Sequence, residues 1–128
     1  MKTDAIAAEI VDSAFKIHKE LGPGLLESAY ETCMEHELIR RGFTVERQKP
    51  QPVYYDGIMI DTGYRLDLLV NDSVIIELKA VEQTLPIHQA QLLTHLKLSC
   101  KSLGFLINFN VPVIKEGIRR FANQHQES

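Results

Sequence analysis

Three charged residues in two short apolar segments are spaced for chemistry. Asp67 lies in Tyr64-Arg65-Leu66-Asp67-Leu68-Leu69-Val70, and Glu77 and Lys79 lie in Val74-Ile75-Ile76-Glu77-Leu78-Lys79-Ala80. In a strand, side chains two apart share a face, so Glu77 and Lys79 project together while Ile76 and Leu78 point the other way. With Asn71-Asp72-Ser73 as the turn, hairpin pairing sets Asp67 across from Glu77. Two carboxylates brought together beside a buried strand repel, and desolvation adds to the cost, unless a proton or cation lies between them. Oxygen donors select a hard divalent ion, Mg²⁺ or Mn²⁺, which retains waters and can bridge a phosphate oxygen. Lys79 then stands beside a bound water and the phosphate, where an ammonium orients the nucleophile and offsets developing charge. On spacing alone a structural ion pair fits as well; the adjoining Asp67 and the apolar run before Glu77 favour the site.

Other residues could serve the same site. Glu27 borders the apolar face of a helix, one turn before Tyr30 and Glu31, although the residues alone favour a solvated first-turn glutamate there. Tyr30 reads as a core aromatic whose hydroxyl finds a partner. His88, Gln91 and His95 share one helix face; a two-histidine metal site spans nearly two turns without a neighbouring ligand, so surface or edge histidines are expected. Arg40, Arg41, Arg47 and Lys49 suggest one basic rim, and Lys97, Lys101, Lys115, Arg119 and Arg120 a second. Phosphate binding requires these to converge near Asp67. Taken singly, they read as solubilising charges.

The elements that carry these residues follow from periodicity. Ile6, Ala7, Ile10, Val11, Ala14, Ile17 and Leu21 recur at helical steps, predicting a first helix that ends near Glu20 at Leu21-Gly22-Pro23-Gly24. Leu25, Leu26, Ala29, Tyr30, Cys33, Met34 and Leu38 mark a second, closed by Arg40-Arg41-Gly42. Runs rich in Val, Ile and Tyr then predict four strands in an antiparallel meander: Phe43 to Gln48, Val53 to Ile60, Tyr64 to Val70 and Val74 to Ala80. The unbroken Val74-Ile75-Ile76 predicts a central strand covered on both faces. Pro86 opens a third helix reaching about Cys100. Leu103 to Phe109 reads as a buried strand, and Ile114 to Ala122 fits a short helix or a closing strand, with the strand preferred. The polar tail from Asn123 to Ser128 is expected to fray. The fold class is α/β (α+β), one domain over residues 1–128, in the order α-α-β-β-β-β-α-β-(β or α). One mixed β-sheet lies between helices, with a ligand site at its edge or opening.

Composition removes several function classes. The 128 residues suffice for one domain with its own core. Fourteen basic against 17 acidic residues, a net −3, provide no global field for gathering nucleic acid. Cys33 and Cys100 lie far apart with no CxxC, which argues against a disulfide framework or structural zinc; Cys100 is expected as a buried thiol. No apolar run is long enough for a membrane, and Met1-Lys2-Thr3-Asp4 leads directly into an amphipathic pattern. A cytoplasmic location is expected on that basis.

Asp67, then Glu77-Leu78-Lys79 after a short turn, then a helix bearing Gln91, resemble the PD-(D/E)XK nuclease superfamily. Gly24-Leu25-Leu26-Glu27-Ser28-Ala29-Tyr30 is similar to the signature of its GxxExxY branch, and the resemblance runs from the first helix through Leu106-Ile107-Asn108-Phe109. It implies a restriction-endonuclease-like fold. Asp67, Glu77, the Leu78 backbone carbonyl and additionally Glu27 would be metal ligands for Mg²⁺ or Mn²⁺, with Lys79 the catalytic lysine and Glu27 and Gln91 shaping the site. Gln91, Tyr30 and His95 are the substrate-side candidates, His95 standing where relatives often have tyrosine. Leu66 replaces the proline of the superfamily's name. The implied function is metal-dependent hydrolysis of nucleic acid, DNA ahead of RNA, by a chain able to act as a homodimer. The alternatives are a catalytically weak nucleic-acid-binding or accessory domain, and a metal-binding regulatory or interaction protein.

Overall fold

Thr3–Leu21 forms helix α1 and Glu27–Arg40 forms helix α2 in the computed structural model, which describes residues 2–124. The expected apolar stripe is the cause in α1: Ile6, Ala7, Ile10, Ala14 and Ile17 are all buried. Gly22 closes the helix with φ 69°, donating its N–H to the His18 carbonyl at 2.7 Å. That left-handed backbone is open to glycine at little cost.

The strands are β1 (Val45–Pro50), β2 (Val53–Tyr55), β3 (Ile58–Ile60), β4 (Arg65–Val70), β5 (Val74–Lys79), β6 (Leu103–Asn108) and β7 (Ile118–Ala122), and Pro86–Ser99 is helix α3. The main sheet has the order β1-β4-β5-β6-β7, with β5 and β6 parallel and the other neighbours antiparallel. As expected, β5 is central and buried along Val74 to Leu78. Its parallel partner demands a crossover, which α3 supplies. α3 packs close over β6 because Gly104 has no side chain; a Cβ there would stand 3.0 Å from Leu92 Cδ1. α1 and α2 cover the opposite face, with Leu68, Val70, Ile76, Leu78, Phe105 and Ile107. Leu66, Leu69, Ile75 and Leu106 pack with Leu92 and Leu96 of α3. This is the α+β, restriction-endonuclease-like arrangement expected, a mixed sheet flanked by helices.

Two expectations about the strands need correction. The strand expected from Val53 to Ile60 is instead a separate hairpin, β2 against β3, outside the main sheet. Asp56 and Gly57 both have positive φ, 51° and 76°, the two-residue geometry that reverses a chain tightly between strands. β1 therefore pairs with β4, and no four-strand meander forms. The segment from Ile114 divides: Ile114–Gly117 is one 3-10 turn, and only Ile118–Ala122 pairs onto β6 as the closing strand.

Of the tail expected to fray, 125–128 lie outside the described residues, while the Asn123 N–H is fixed to the Ser102 carbonyl at 2.8 Å. Cys100 is exposed, contrary to the buried thiol expected; it caps α3 in a left-handed conformation, φ 57°. No described helix is long and apolar enough to cross a membrane.

Candidate active site

β4 and β5 pair only as far as Leu68↔Ile76. Continuing that register places Asp67 opposite Glu77, but here the ladder opens and the Asp67 side chain enters the gap. Its Oδ2 accepts the Leu78 N–H at 2.8 Å, occupying a donor the sheet would otherwise use. Alternation along β4 slips at this point, because Leu66 packs toward α3 whereas Leu68 packs toward α1 and α2. Residues two apart in a regular strand would share a face. The carboxylate of Asp67 thus stands between the two layers, at the opening where a site was expected.

Burial, followed by the neighbouring Glu77 carboxylate, raises the Asp67 pKa to about 6; the Leu78 N–H and the Lys79 ammonium pull the other way. Two carboxylates in mutual contact with limited hydration are the condition that a cation relieves. Glu77 is 9% exposed and its Oε1 lies 3.0 Å from Nδ1 of His95 on α3. The surface or edge histidine expected at 95 is instead a buried partner of a site carboxylate, and its ring also faces Tyr64 with centroids 5.8 Å apart. Lys79, half-buried, is near enough to lower the proton affinity of both Asp67 and Glu27.

Glu27 begins α2. It is exposed, as the first-turn glutamate read from the residues alone would be; partial burial of its carboxyl raises its pKa, Lys79 opposes the rise, Asp67 and Glu31 add to it, and His88 opposes it. It therefore belongs to the same electrostatic group as the strand residues. Among the described residues, no set of three or more His, Cys, Asp or Glu converges closely enough to cage an ion. The donor set is the two carboxylates of Asp67 and Glu77, oxygen ligands of the kind taken by a hard ion that keeps several of its waters.

Tyr30 is fully buried, which leaves it no surface for the substrate contact the resemblance suggested. Its hydroxyl donates to the Gly22 carbonyl at 2.6 Å and accepts the Leu25 N–H at 3.1 Å, and its ring stacks on Phe109 at 4.4 Å. It ties down the turn that presents Glu27. Gln91 is exposed on α3, one turn before His95. The His88 ring instead caps that helix, accepting the Leu85 N–H at Nδ1.

The expected basic rims are largely spent within the chain. Arg40 and Arg41 pair with Glu37, Arg47 with Glu31 and Glu35, Lys49 with Glu46, Lys101 with Asp72 and Arg120 with Asp4. Three residues not singled out from sequence support the site. Glu31 and Gln48 are bonded to each other at 2.6 Å beside Asp67. Asn108 clasps the chain leaving β5, donating to the Val81 carbonyl and accepting the Val81 N–H. Helical spacing puts Glu31 one turn beyond Glu27, the only sequence signal for it. The larger surface hollows, such as the one of about 610 Å³ between α1 and β7, lie away from this group.

No curated protein and no solved structure matches the chain. A family model described as the PD-(D/E)XK nuclease superfamily matches residues 4–121, from the first turn of α1 into β7. Such a match takes in every residue of the opened β4–β5 rung, and by it the chain belongs to the PD-(D/E)XK nuclease superfamily.

Proposed function

We propose that the chain is a nuclease of the GxxExxY branch that hydrolyses phosphodiester bonds with Mg²⁺ or Mn²⁺, DNA ahead of RNA. The observation that carries the proposal is the pair of contacting carboxylates, Asp67 and Glu77, in an opened rung with Lys79 beside them. Asp67, Glu77 and the Leu78 carbonyl would hold the ion, with Glu27 close by; when bound, it supplies an activated water and neutralises charge on the phosphate. His95 fixes the orientation of Glu77. The Lys79 ammonium neutralises phosphate oxygens and directs the attacking oxygen. Glu27 orients that water from the α2 side. Gln91, exposed on α3, contacts the nucleic acid near the scissile bond.

The assay is cleavage of single- and double-stranded DNA and RNA with either ion, comparing wild type with Asp67→Ala and Lys79→Ala. Metal-dependent cutting that both variants lose supports the proposal. Equal trace activity in all three overturns it in favour of a binding or accessory domain, the reading favoured by the internal pairing of so many basic side chains.

The proposal includes a homodimer formed through the β2–β3 hairpin. Tyr54, Tyr55, Ile58 and Met59 are 60 to 71% exposed, and an isolated two-stranded hairpin is marginal in water. Val53–Tyr55 and Ile58–Ile60 carry no charge, and Asp56 between them repels phosphate, so a second copy fits this arm better than a nucleic-acid backbone. Light scattering should give a dimer that Tyr54→Ser with Met59→Ser dissociates; a monomeric wild type refutes this part.

A further inference from the structure

We propose that Gln48 is a positioning residue for the ion-binding carboxylates, set by a left-handed kink in β1 that turns its amide toward Asp67 and Glu31. The inference rests on the metal-dependent nuclease reading above.

The kink is the primary observation. Arg47↔Leu68 and Lys49↔Leu66 pair in register, so Gln48 should pair with Asp67, and that pair is missing. Gln48 has φ 53° in the middle of a strand. Glycine, Asn and Asp visit this region readily, but for other residues it costs on the order of 1 kcal/mol or more. Both strands therefore lose regularity at one rung, β1 at Gln48 and β4 at Asp67. Such irregularities re-aim a side chain that a flat ladder would place elsewhere.

The re-aimed amide has two acceptors. Gln48 Nε2 donates to Glu31 Oε1 at 2.6 Å and, more weakly, to Asp67 Oδ1 at 3.4 Å. With Leu78 N–H on Oδ2, each oxygen of Asp67 has its own donor, which fixes the plane of the carboxylate. Glu31 is 7% exposed and is itself held by Arg47 Nε at 3.1 Å. The chain Arg47, Glu31, Gln48, Asp67 thus links α2 to the opened rung. A neutral donor suits this position because it orients Asp67 while leaving its negative charge available, whereas a cation here would compete with the metal. Partners of this kind typically change metal affinity by about 10- to 100-fold when removed.

The test separates backbone relief from the loss of the amide. Gln48→Gly accepts positive φ without strain and carries no side chain, and Gln48→Asn tolerates that φ but is one methylene too short. Each relieves the strained φ but gives up the hydrogen bond to Glu31, so thermal stability should stay close to that of wild type while Mn²⁺ binds about 10-fold more weakly by calorimetry on the full chain. Wild-type Mn²⁺ affinity in both variants, with wild type binding the ion and Asp67→Ala not, overturns the role of Gln48 alone. A wild type that binds no Mn²⁺ overturns the metal reading and this inference with it.

Discussion

Removing one oxygen from Tyr30 should loosen the presentation of Glu27 without emptying the core. In Tyr30→Phe the ring remains stacked on Phe109, so the loss is confined to two hydrogen bonds, to the Gly22 carbonyl and from the Leu25 N–H. Each is worth about 1 kcal/mol net, so the cost is about 2 kcal/mol. For a domain of this length that lowers Tm by about 6 to 10 °C. Urea unfolding followed by circular dichroism should show an earlier midpoint with an unchanged slope, since the surface exposed on unfolding is the same. Glu27 opens α2 directly after the tied turn, so metal-dependent cleavage should fall more than stability at the assay temperature explains. Tyr30→Leu should be worse on both counts because it also removes the stack. Wild-type stability and cleavage in Tyr30→Phe would refute the claim that the tyrosine acts through the turn.

Glu37, buried, receives Lys16, Arg40 and Arg41, and the hydrogen bond from Arg40 leads in holding its carboxyl well below the usual carboxylate range. A lowered folded pKa gives stability that is complete above the ordinary value of 4.5 and is lost as pH falls below it. Glu37→Gln should cost about 1 kcal/mol at pH 7, because Lys16 and Arg40 are open to water and Arg41 keeps Asp12, and its stability should change less than wild type's during acid titration. Asp67 has the opposite sign: with its pKa raised to about 6, metal-free protein is destabilised as pH rises from about 4 to 6. Full linkage is about 3 kcal/mol, less what the ionised Asp67 gains over an amide as acceptor for the Leu78 N–H and less the Gln48 hydrogen bond, since an asparagine can accept only one of the two. Asp67→Asn should therefore be about 1 kcal/mol more stable than wild type at pH 7 without divalent ions, as thermal melts with a chelator will show. Mn²⁺ affinity of wild type should weaken below about pH 6, and calorimetry at pH 5 and 7 checks it.

Much of the scaffold was legible because its signals are local. The helical stripe of α1, the unbroken apolar run of β5 and the Asn71-Asp72-Ser73 turn suffice for the two N-terminal helices, the central strand and a β4–β5 register that, continued past its last pair, sets Asp67 opposite Glu77. The Asp56-Gly57 turn is also local, but Val53 to Ile60 is apolar on both sides of it and reads as one strand. Which strand β1 joins depends on contacts distant in sequence. The kink at Gln48 has no glycine or asparagine to announce it, and His95 reaches Glu77 only after α3 folds over the sheet. The pairing of basic side chains with Glu31, Glu37 and Asp72 is likewise a product of tertiary structure. Residue type alone reads each of them as a solubilising charge, with phosphate contact open only if they converge near Asp67.

The most direct measurement is Mn²⁺ binding by calorimetry to wild type, Asp67→Ala, Glu77→Ala and Lys79→Ala, with cleavage followed on the same samples. Binding should be lost in both carboxylate variants and kept in Lys79→Ala, which loses cleavage alone. Equal Mn²⁺ affinity in all four proteins would contradict a shared ion between Asp67 and Glu77.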